Sequence, residues 1–337
     1  MKVFQVEGNW SMDGVKLSTR PDPVPGRGQI RIAMRAAAVN YRDLLVPLRG
    51  YGQRMKPLPL IMLCDGAGVV ESVGPEVTRF RVGDRACPMY FQTWASGAPD
   101  NRKFEQALGS EVDGTMAEYM VVDETAAAAP PAHLSDVEAA TLPTAALTAW
   151  RALVTEGRIR AGDTVLVQGT GGVALFAIQI ARMHGARVIV TSSADAKLAR
   201  ARQLGADEGI NYTEVPEWGR RAREIAGGEG VDHVIELGGQ HTLAQSLRAV
   251  RTGGTISLIG VLSGGTLAAP LGQVVTRHIR MQGITVGNTD DFEAMSRAMA
   301  QHHLKPVVDR EFAFEELLPA LEHLRSGRHF GKVAIRF

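Results

Sequence analysis

Short apolar runs separated by glycine and proline dominate the first 125 residues of the chain. The runs are MKVFQV, QIRIAMRAAAV, GAGVVESVG, GDRACPMY and MAEYMVV, and most have the length of a single strand. Glycine and proline between such runs are typical of turns. The pattern therefore predicts a compact β-rich domain over residues 1–125.

A helical pattern follows the linker-like segment AAAAPPA, which ends at residue 132. Ser135 followed by Glu138 has the spacing of a capping box, and it precedes the apolar run AATLPTAALTAWRALV. We therefore predict a helical region over about 134–157 and place a domain boundary after residue 125.

From residue 163 onward, β-like runs alternate with helical ones. The β-like runs are DTVLVQG, ARVIVTS, GINY, VDHVIEL, GTISLIGV and RMQGITVG, with helices predicted over about 173–184 and 196–204. This alternation predicts a doubly wound α/β domain, with a parallel sheet covered on both faces, over 126–286. Beyond residue 287 there are two more helical patterns and a closing strand, KVAIRF.

Length and composition narrow the functional classes. A chain of 337 residues is long enough for two domains. Its formal net charge of +1 and the absence of a Lys/Arg run argue against nucleic acid or an anionic membrane as partner, so we expect a small molecule. With only Cys64 and Cys87, and no apolar stretch of about 18 residues, we expect no disulfide framework, no membrane span and a cytoplasmic location.

A glycine-rich turn joins the run TVLVQ to an apolar helix. Its sequence, Gly169-Thr-Gly171-Gly172-Val173-Ala174, reads G-x-G-x-x-A. The first glycine permits a tight turn, the second lets the backbone approach a pyrophosphate, and the small alanine allows close helix–strand packing. The helix N-terminus would then hold the phosphates. The strand before and the helix after favour a dinucleotide-binding loop over a plain turn.

The end of the next strand bears on the choice of cofactor. Sites for NAD usually carry Asp or Glu about 20 residues after the glycine turn. This strand instead ends with Ser192 and Ser193, whose hydroxyls suit a 2′-phosphate, and Lys197 lies one helical turn further on. The pattern therefore predicts NADP(H). Asp195 complicates this prediction, and we interpret it as a first-turn helix residue.

The order of these segments, together with HFGKVAI near the end, resembles the medium-chain dehydrogenase/reductase superfamily over essentially the whole chain. The resemblance is strongest to the zinc-free quinone oxidoreductase-like branch, which includes crystallin-like NADPH:quinone reductases. It implies a GroES-like catalytic domain over 1–125 that is completed by 287–337, a Rossmann domain over 126–286, and a homodimer joined through the Rossmann sheets.

The resemblance also implies cofactor contacts. Lys197 and Tyr212 match positions that bracket the adenosine 2′-phosphate. Further positions assigned to the cofactor are Thr148, Gly238, Gly260, Val261, Leu262 and Lys332.

Zinc-dependent members of the superfamily place their ligands in a GICxxD-like motif, in GHE and early in the first helix that leads to the Rossmann domain. Here those segments read AVNYRD, LCDGAG and PTAALTAW, so that Asn40, Cys64 and Thr144 stand at the three positions. A catalytic zinc needs three good N, S or anionic O donors, which one thiol beside an amide and a hydroxyl does not supply. We therefore predict a metal-free protein.

Without a Lewis acid, oxidation of a simple alcohol loses its main electrophilic assistance. Hydride transfer to an enone or a quinone gives an anion that the substrate itself delocalises, so hydrogen-bond donors suffice. We predict Asn40 as such a donor and Tyr51, in LRGYG, as a proton donor or orienting group. The nicotinamide is expected between the domains, near Thr148 and Gly260–Leu262, with its hydride face toward Asn40 and Tyr51.

Structural explanations of the same residues remain open. In the structural interpretation, Tyr51 is only an aromatic residue in a loop and Asn40 only forms hydrogen bonds with the backbone. Asp43 and Asp65 are expected to organise hydrogen bonds. Two other functions also remain, a zinc-independent alcohol or aldehyde dehydrogenase and a non-enzymatic NADPH-binding protein. Hydrolysis is disfavoured because there is no G-x-S-x-G motif.

Overall fold

The computed structural model describes residues 1–337, which fall into two units. The first comprises Met1–Leu147 and Gly287–Phe337, and the second Thr148–Val286. None of the helices combines the length and the apolar character that crossing a membrane requires.

The elements follow one another in this order. The first unit begins with β1 (Lys2–Val6), β2 (Val15–Thr19), β3 (Gln29–Val39), β4 (Leu60–Ile61), β5 (Asp65–Val73), β6 (Arg85–Pro88), β7 (Tyr119–Asp123), β8 (Ala127–Ala128) and α1 (Asp136–Ala140). Next come α2 (Leu147–Trp150), β9 (Thr164–Gln168), α3 (Gly172–Met183), β10 (Arg187–Ser192), α4 (Asp195–Gln203), β11 (Glu208–Asn211), α5 (Trp218–Ile225), β12 (Val231–Glu236), α6 (Leu243–Ala249), β13 (Val250–Leu258), α7 (Leu271–Thr276) and β14 (Arg280–Gly283). The first unit resumes with α8 (Thr289–Gln301), β15 (Val308–Ala313), α9 (Leu317–Arg325) and β16 (Lys332–Arg336).

Strand β3 is the centre of the first unit. It pairs antiparallel with β5, β7 and β16, in a sheet whose remaining strands are β15, β6 and β8. A smaller sheet has the order β2-β1-β4. In the first half of β3 polar and apolar residues alternate, whereas 36–39 are all buried because that end is covered on both faces. This buried end carries the chain directly to Asn40.

Helix α1 explains where the two units divide. Residues 126–147 group with the first unit, so the division falls later than the predicted boundary after residue 125. The physical reason is that α1 packs on β3, β5 and β16 and buries Val137, Ala139 and Ala140.

The predicted capping box is present at the start of α1. Ser135 Oγ accepts from Glu138 N at 3.2 Å, and Ser135 N donates to Glu138 Oε2 at 2.8 Å. Beyond α1 the predicted helical region is irregular, with π-helical turns at 142–146 and 151–155 on either side of α2.

The second unit is a six-stranded sheet in the order β11-β10-β9-β12-β13-β14, and all neighbours are parallel. Counted within this unit, the strand order is 3-2-1-4-5-6, which is that of a dinucleotide-binding Rossmann sheet. Residues 165–167 and 188–190 are fully buried, as expected for strands covered on both faces. The predicted doubly wound α/β domain and the predicted β-rich domain are both confirmed.

Candidate active site

Asn40 lies between two charged side chains of the first unit. Strand β5 places Asp65 opposite Ala38, and β16 places Val333 opposite Val39, so that Asp65 and Lys332 flank the end of β3. Asn40 Nδ2 donates to Asp65 Oδ2 at 2.8 Å, and Asn40 Oδ1 accepts from Lys332 Nζ at 2.6 Å. The carboxylate and the ammonium therefore fix which way the amide points.

Lys332 uses its ammonium entirely within the protein. Besides Asn40, it donates to Val39 O at 2.9 Å and lies 3.3 Å from Asp65 Oδ2, and the residue is 3% exposed. An ammonium has three N–H groups, and here each has an oxygen partner. These contacts hold the Asn40 amide in place, and the contact of Lys332 with the cofactor stays a prediction.

The three residues at the ligand positions of zinc-dependent relatives come together. Cys64 Sγ lies 3.8 Å from Asn40 Nδ2 and 3.6 Å from Thr144 Oγ1. Burial raises the pKa of the Cys64 thiol to about 12, although nearby Arg42 opposes the shift. The protein thus holds an amide, a protonated thiol and a hydroxyl here, with the Lys332 ammonium against the amide.

This donor set does not fit a zinc ion. Zinc binds thiolate, neutral imidazole and carboxylate, and a cationic side chain beside the ligands opposes a dication. Nowhere in residues 1–337 do three or more His, Cys, Asp or Glu side chains form a group that could hold a metal.

A buried arginine that the sequence analysis missed lies beside the predicted proton donor. The Arg42 guanidinium lies 5.4 Å from the Tyr51 ring centroid and 5.1 Å from that of Tyr90, in the range of cation–π contacts. Tyr51 is 40% exposed, whereas Tyr90 is buried, which raises its pKa to about 12. The only sequence signal for Arg42 is its position two residues after Asn40, and Tyr90 gave none.

Asp43 completes this cluster. Its carboxylate accepts from Asn40 N at 2.8 Å and faces Arg42 Nη1 at 3.3 Å. Burial raises the Asp43 pKa to about 6, against the opposing effects of Arg42 and the Asn40 N–H. Asp43 and Asp65 both organise hydrogen bonds around Asn40, as the sequence predicted.

In the second unit, the glycine turn lies where the sequence predicted it. Gly169 follows β9 with φ +74°, a conformation that favours glycine, and a Cβ there would have no neighbour within 4 Å. Helix α3 starts at Gly172, and its N-cap Gly171 has no side chain to bind the N–H groups of the first turn. Ala174 is fully buried. This turn fits a pyrophosphate, because unpaired N–H groups and the helix dipole favour an anion.

The predicted 2′-phosphate residues lie together at the ends of β10 and β11. Tyr212 N donates to Ser192 O at 3.1 Å, and Ser193 is exposed just before α4, whose third residue is Lys197. Asp195 is the first residue of α4, and its Oδ1 accepts from Asn211 Nδ2 at 3.0 Å. Its interpretation as a first-turn helix residue is therefore confirmed.

The remaining predicted cofactor residues lie mostly on two adjoining loops. Gly238 O accepts from Ser263 N at 2.7 Å, which links the loop after β12 to the loop that contains Gly260, Val261 and Leu262. Thr148 lies apart from these loops in sequence, on α2, and is 3% exposed. Beneath the first loop lie Gln168 and Glu236, both of which the sequence analysis missed.

A parallel sheet in this order with a glycine-rich turn is the architecture of a dinucleotide-binding domain. The same chain forms a β-rich unit from its two ends. The family model described as alcohol dehydrogenase GroES-like domain matches residues 26–132, and the model described as zinc-binding dehydrogenase matches 172–301. The chain belongs to the medium-chain dehydrogenase/reductase superfamily, whose members bind a nicotinamide cofactor.

Two curated relatives illustrate the range of the family. A zinc-type alcohol dehydrogenase-like protein of Schizosaccharomyces pombe is 40% identical over 315 residues, which covers 92% of this chain and 91% of that protein. An acryloyl-coenzyme A reductase of Metallosphaera sedula is 31% identical over 349 residues and covers 99% of each chain.

Solved structures show the same fold. A putative alcohol dehydrogenase from Sinorhizobium meliloti has 43% identity and a TM-score of 0.94, covering 100% of this chain and 98% of that one. An NAD-dependent alcohol dehydrogenase has 34% identity and a TM-score of 0.91, and a mycobacterial protein complexed with NADPH has 25% and 0.83; both cover 100% of each chain. The protein is thus an oxidoreductase of this superfamily, and the GroES-like prediction is confirmed.

Proposed function

We propose that this chain is an NADPH-dependent reductase that transfers hydride to an α,β-unsaturated ketone or aldehyde, or to a quinone, without a metal ion. The observation that carries the proposal is the Asp65–Asn40–Lys332 network where zinc-dependent relatives hold their metal. A neutral amide held between a carboxylate and an ammonium offers hydrogen-bond donors and no Lewis acid. Such a site suits acceptors that delocalise the developing charge.

NADPH, when bound, supplies the hydride. For an enone, the hydride adds to the β-carbon, the C=C electron pair moves toward the carbonyl, and an enolate oxygen develops. Asn40 Nδ2 has one N–H engaged with Asp65, and its other N–H has only the long contact with Cys64. We assign this second N–H to the enolate oxygen, and the Lys332 ammonium on Oδ1 polarises the amide in the same sense.

The proton that completes the reduction is assigned to Tyr51. Its phenol transfers a proton to the α-carbon of the enolate, or to the anionic oxygen of the hydroquinone monoanion when the acceptor is a quinone. Tyr51 is the better donor of the two tyrosines beside Arg42, because it is 40% exposed and solvent can restore its proton. The Arg42 guanidinium beside the ring stabilises the transient phenolate.

In the second unit we assign the pyrophosphate of the cofactor to Gly169, Gly171, Gly172 and Val173. The 2′-phosphate is assigned to Ser192, Ser193, Lys197 and Tyr212, since Asn211 engages the Asp195 carboxylate. The nicotinamide end is assigned to Thr148, Gly238, Gly260, Val261 and Leu262. A structural neighbour complexed with NADPH supports the assignment of NADPH as cofactor. Another neighbour is NAD-dependent, so the preference between the two cofactors has to be tested.

Two relatives support the class of acceptor. Acryloyl-coenzyme A reductase is named for an α,β-unsaturated thioester, and a mycobacterial neighbour is named a quinone oxidoreductase. The alcohol dehydrogenase names of other relatives favour, as the second candidate, a zinc-independent alcohol or aldehyde dehydrogenase.

The second unit also supports a homodimer as part of the proposal. Strand β14 is at the edge of the parallel sheet, so one side of its backbone is available for pairing with a second copy. Exposed apolar residues that are not assigned to the cofactor precede it, namely Leu267, Leu271 and Val275.

The reaction is tested by locating, in the product, the hydride that NADPH has transferred. Protein is incubated with NADPH deuterated at C4 and a panel of enones, 2-alkenals, quinones and saturated aldehydes, and the products are examined by mass spectrometry and NMR. We expect deuterium at the β-carbon of a saturated ketone or aldehyde, or hydroquinone formation. Deuterium only at the carbonyl carbon, giving alcohols, would favour the second candidate. No consumption of NADPH with any acceptor would favour a non-enzymatic role.

A further inference from the structure

Glu236 is a fully buried carboxylate at the carboxyl end of β12. Its oxygens accept from Gly238 N at 3.0 Å, Gly239 N at 2.9 Å and Gln168 Nε2 at 2.7 Å, and also from the hydroxyls of Thr242 and Ser246. None of these five donors is a cation. A buried carboxylate without a cationic partner is costly unless hydrogen bonds satisfy it, so this cluster depends on an acceptor-only group at its centre.

Gln168 connects this carboxylate to the glycine turn. It is the last residue of β9 and directly precedes Gly169. Its Oε1 accepts from Leu237 N and Gly238 N, both at 3.0 Å, while its Nε2 donates to Glu236 Oε2. One side chain therefore ties the loop after β12 to the strand that carries the proposed phosphate turn.

The loop after β12 packs closely against its neighbours at two glycines. A Cβ on Gly238 would lie 2.3 Å from Thr242 Oγ1, and one on Gly260 would lie 2.0 Å from Leu237 O. Gly239 has φ +96°, in the region that favours glycine. Gly238 O in turn accepts from Ser263 N, so the loop after β13 is held through the same turn.

The cluster lies at the point where the strand order of the sheet reverses. Ligands of open parallel sheets bind outside the carboxyl ends of the strands, where the strand order reverses. In this sheet the reversal falls between β9 and β12, and Gln168 and Glu236 are the last residues of those two strands.

We propose that Glu236 and Gln168 are positioning residues that set the spacing of the three loops after β9, β12 and β13 and thereby the affinity for the dinucleotide. Neither needs to touch the cofactor. Glutamate is required at 236 because an amide would turn an NH₂ group toward donors that need an acceptor. The inference rests on the proposed cofactor site and assigns two residues to it.

The test uses the full chain and Glu236→Gln. Asp232→Asn is the matched control, because Asp232 is on the same strand but at its amino end, where it accepts from Thr164 N and Arg251 Nε. The dissociation constants of NADPH and NADH are measured by nicotinamide fluorescence, together with the thermal midpoint. We expect Glu236→Gln to weaken the binding of both cofactors about tenfold or more, as for loss of a charged hydrogen bond. Asp232→Asn should lower the thermal midpoint without changing either constant.

Two further variants keep the proposal testable if Glu236→Gln does not fold. Gln168→Ala removes the bridge but leaves the carboxylate, and should also weaken binding. Gln245→Ala, on the same helix α6, removes contacts with Gly219 N and Glu217 that involve neither Glu236 nor Gln168, and should leave binding near that of the parent. In a folded variant with measurable turnover, the KM for the cofactor should rise while kcat changes little.

Parent-like binding by a folded Glu236→Gln or by Gln168→Ala would overturn the inference. Equal weakening in Gln245→Ala or Asp232→Asn would also overturn it, because the effect would then be one of general stability. If the parent binds a cofactor but reduces no acceptor, the proposed function fails and this test still applies. If the parent binds neither cofactor, both proposals fail.

Discussion

The Lys332 ammonium and the Asn40 amide oxygen, on the neighbouring strand ends of β16 and β3, are joined by a hydrogen bond of 2.6 Å. The two residues are 292 positions apart in the chain. Their contact makes the orientation of the proposed donor a property of the first unit as a whole, because residues from both ends of the chain form it.

Lys332→Met tests this relationship. It keeps the length of the side chain and removes the ammonium, so Asn40 loses its fixed orientation while the cofactor residues are unchanged. We expect kcat to fall about tenfold or more, with the NADPH dissociation constant unchanged. The variant should also lose about 3–5 kcal/mol of stability, because Asp65 is left buried without its cation. Arg336→Met, at the exposed end of β16, is the control. A weakened NADPH complex with unchanged kcat would instead indicate that Lys332 binds the cofactor.

Tyr51→Phe tests the proton donor. The change should lower kcat about tenfold or more with NADPH affinity kept, because the phenol acts mainly in the transition state. Tyr41→Phe is a matched control, since Tyr41 is also exposed and lies near Asn40 in sequence. Steady-state kinetics and cofactor titration provide the comparison. Equal turnover by Tyr51→Phe and the parent protein would mean that water or another group, and not Tyr51, donates the proton.

Lys197→Ala tests the cofactor preference. Loss of one charged contact to the 2′-phosphate should weaken NADPH about tenfold or more and leave NADH nearly unchanged. Arg187→Ala removes a positive charge at the opposite end of β10 and serves as the control. Both cofactors are titrated against each variant. An equal loss of affinity for NADPH and NADH would mean that Lys197 has a structural role and does not contact the 2′-phosphate.

Because folding shifts the pKa of Asp43, the free energy of unfolding should depend on pH. Its pKa is about 6 in the folded protein against an ordinary value of 3.8. Folding therefore favours the protonated form, so the contribution of Asp43 is fully present below pH 3.8 and is lost as the pH rises through 6. The loss amounts to about 3 kcal/mol, at roughly 1.4 kcal/mol per pKa unit.

Asp43→Asn should remove this component. Chemical unfolding between pH 4 and pH 8 should show that the parent loses free energy of unfolding relative to the variant as the pH rises from 4 through 6, and that the difference is constant between about pH 7 and pH 8. Parallel pH profiles would show that the Asp43 carboxyl is not perturbed by folding.

Local sequence patterns were enough to predict most of the strands and helices. The bounds of β3 agree with the run QIRIAMRAAAV, and the capping box at Ser135 was explicit in two residues. Elements with weaker patterns were missed: β2 (VKLST) and β15 (VDREFA) are mostly exposed, and α5 (WGRRAREI) has few apolar residues. Strands β2 and β15 have no continuous buried face, and α5 buries one face through only Trp218, Gly219 and Ala222, so few apolar residues mark it in the sequence.

The candidate site was predictable only where a motif is contiguous. The glycine turn and the Ser192–Ser193 end of β10 stand in single short segments. The partners of Asn40 do not, because Lys332 reaches it through the register of β16 on β3. Glu236 and Gln168 are likewise joined through the pairing of β12 with β9, which no local pattern encodes.

Metal content and turnover, measured on the same sample, test most directly whether the protein is a reductase that works without zinc. Protein purified without added zinc is dialysed against a chelator, assayed for metals, and supplied with NADPH and an enone or quinone acceptor. We expect far less than one zinc per chain and a reductase rate that neither chelation nor added zinc changes. A tightly held zinc at one per chain, with activity lost on its removal and restored on its return, would contradict it.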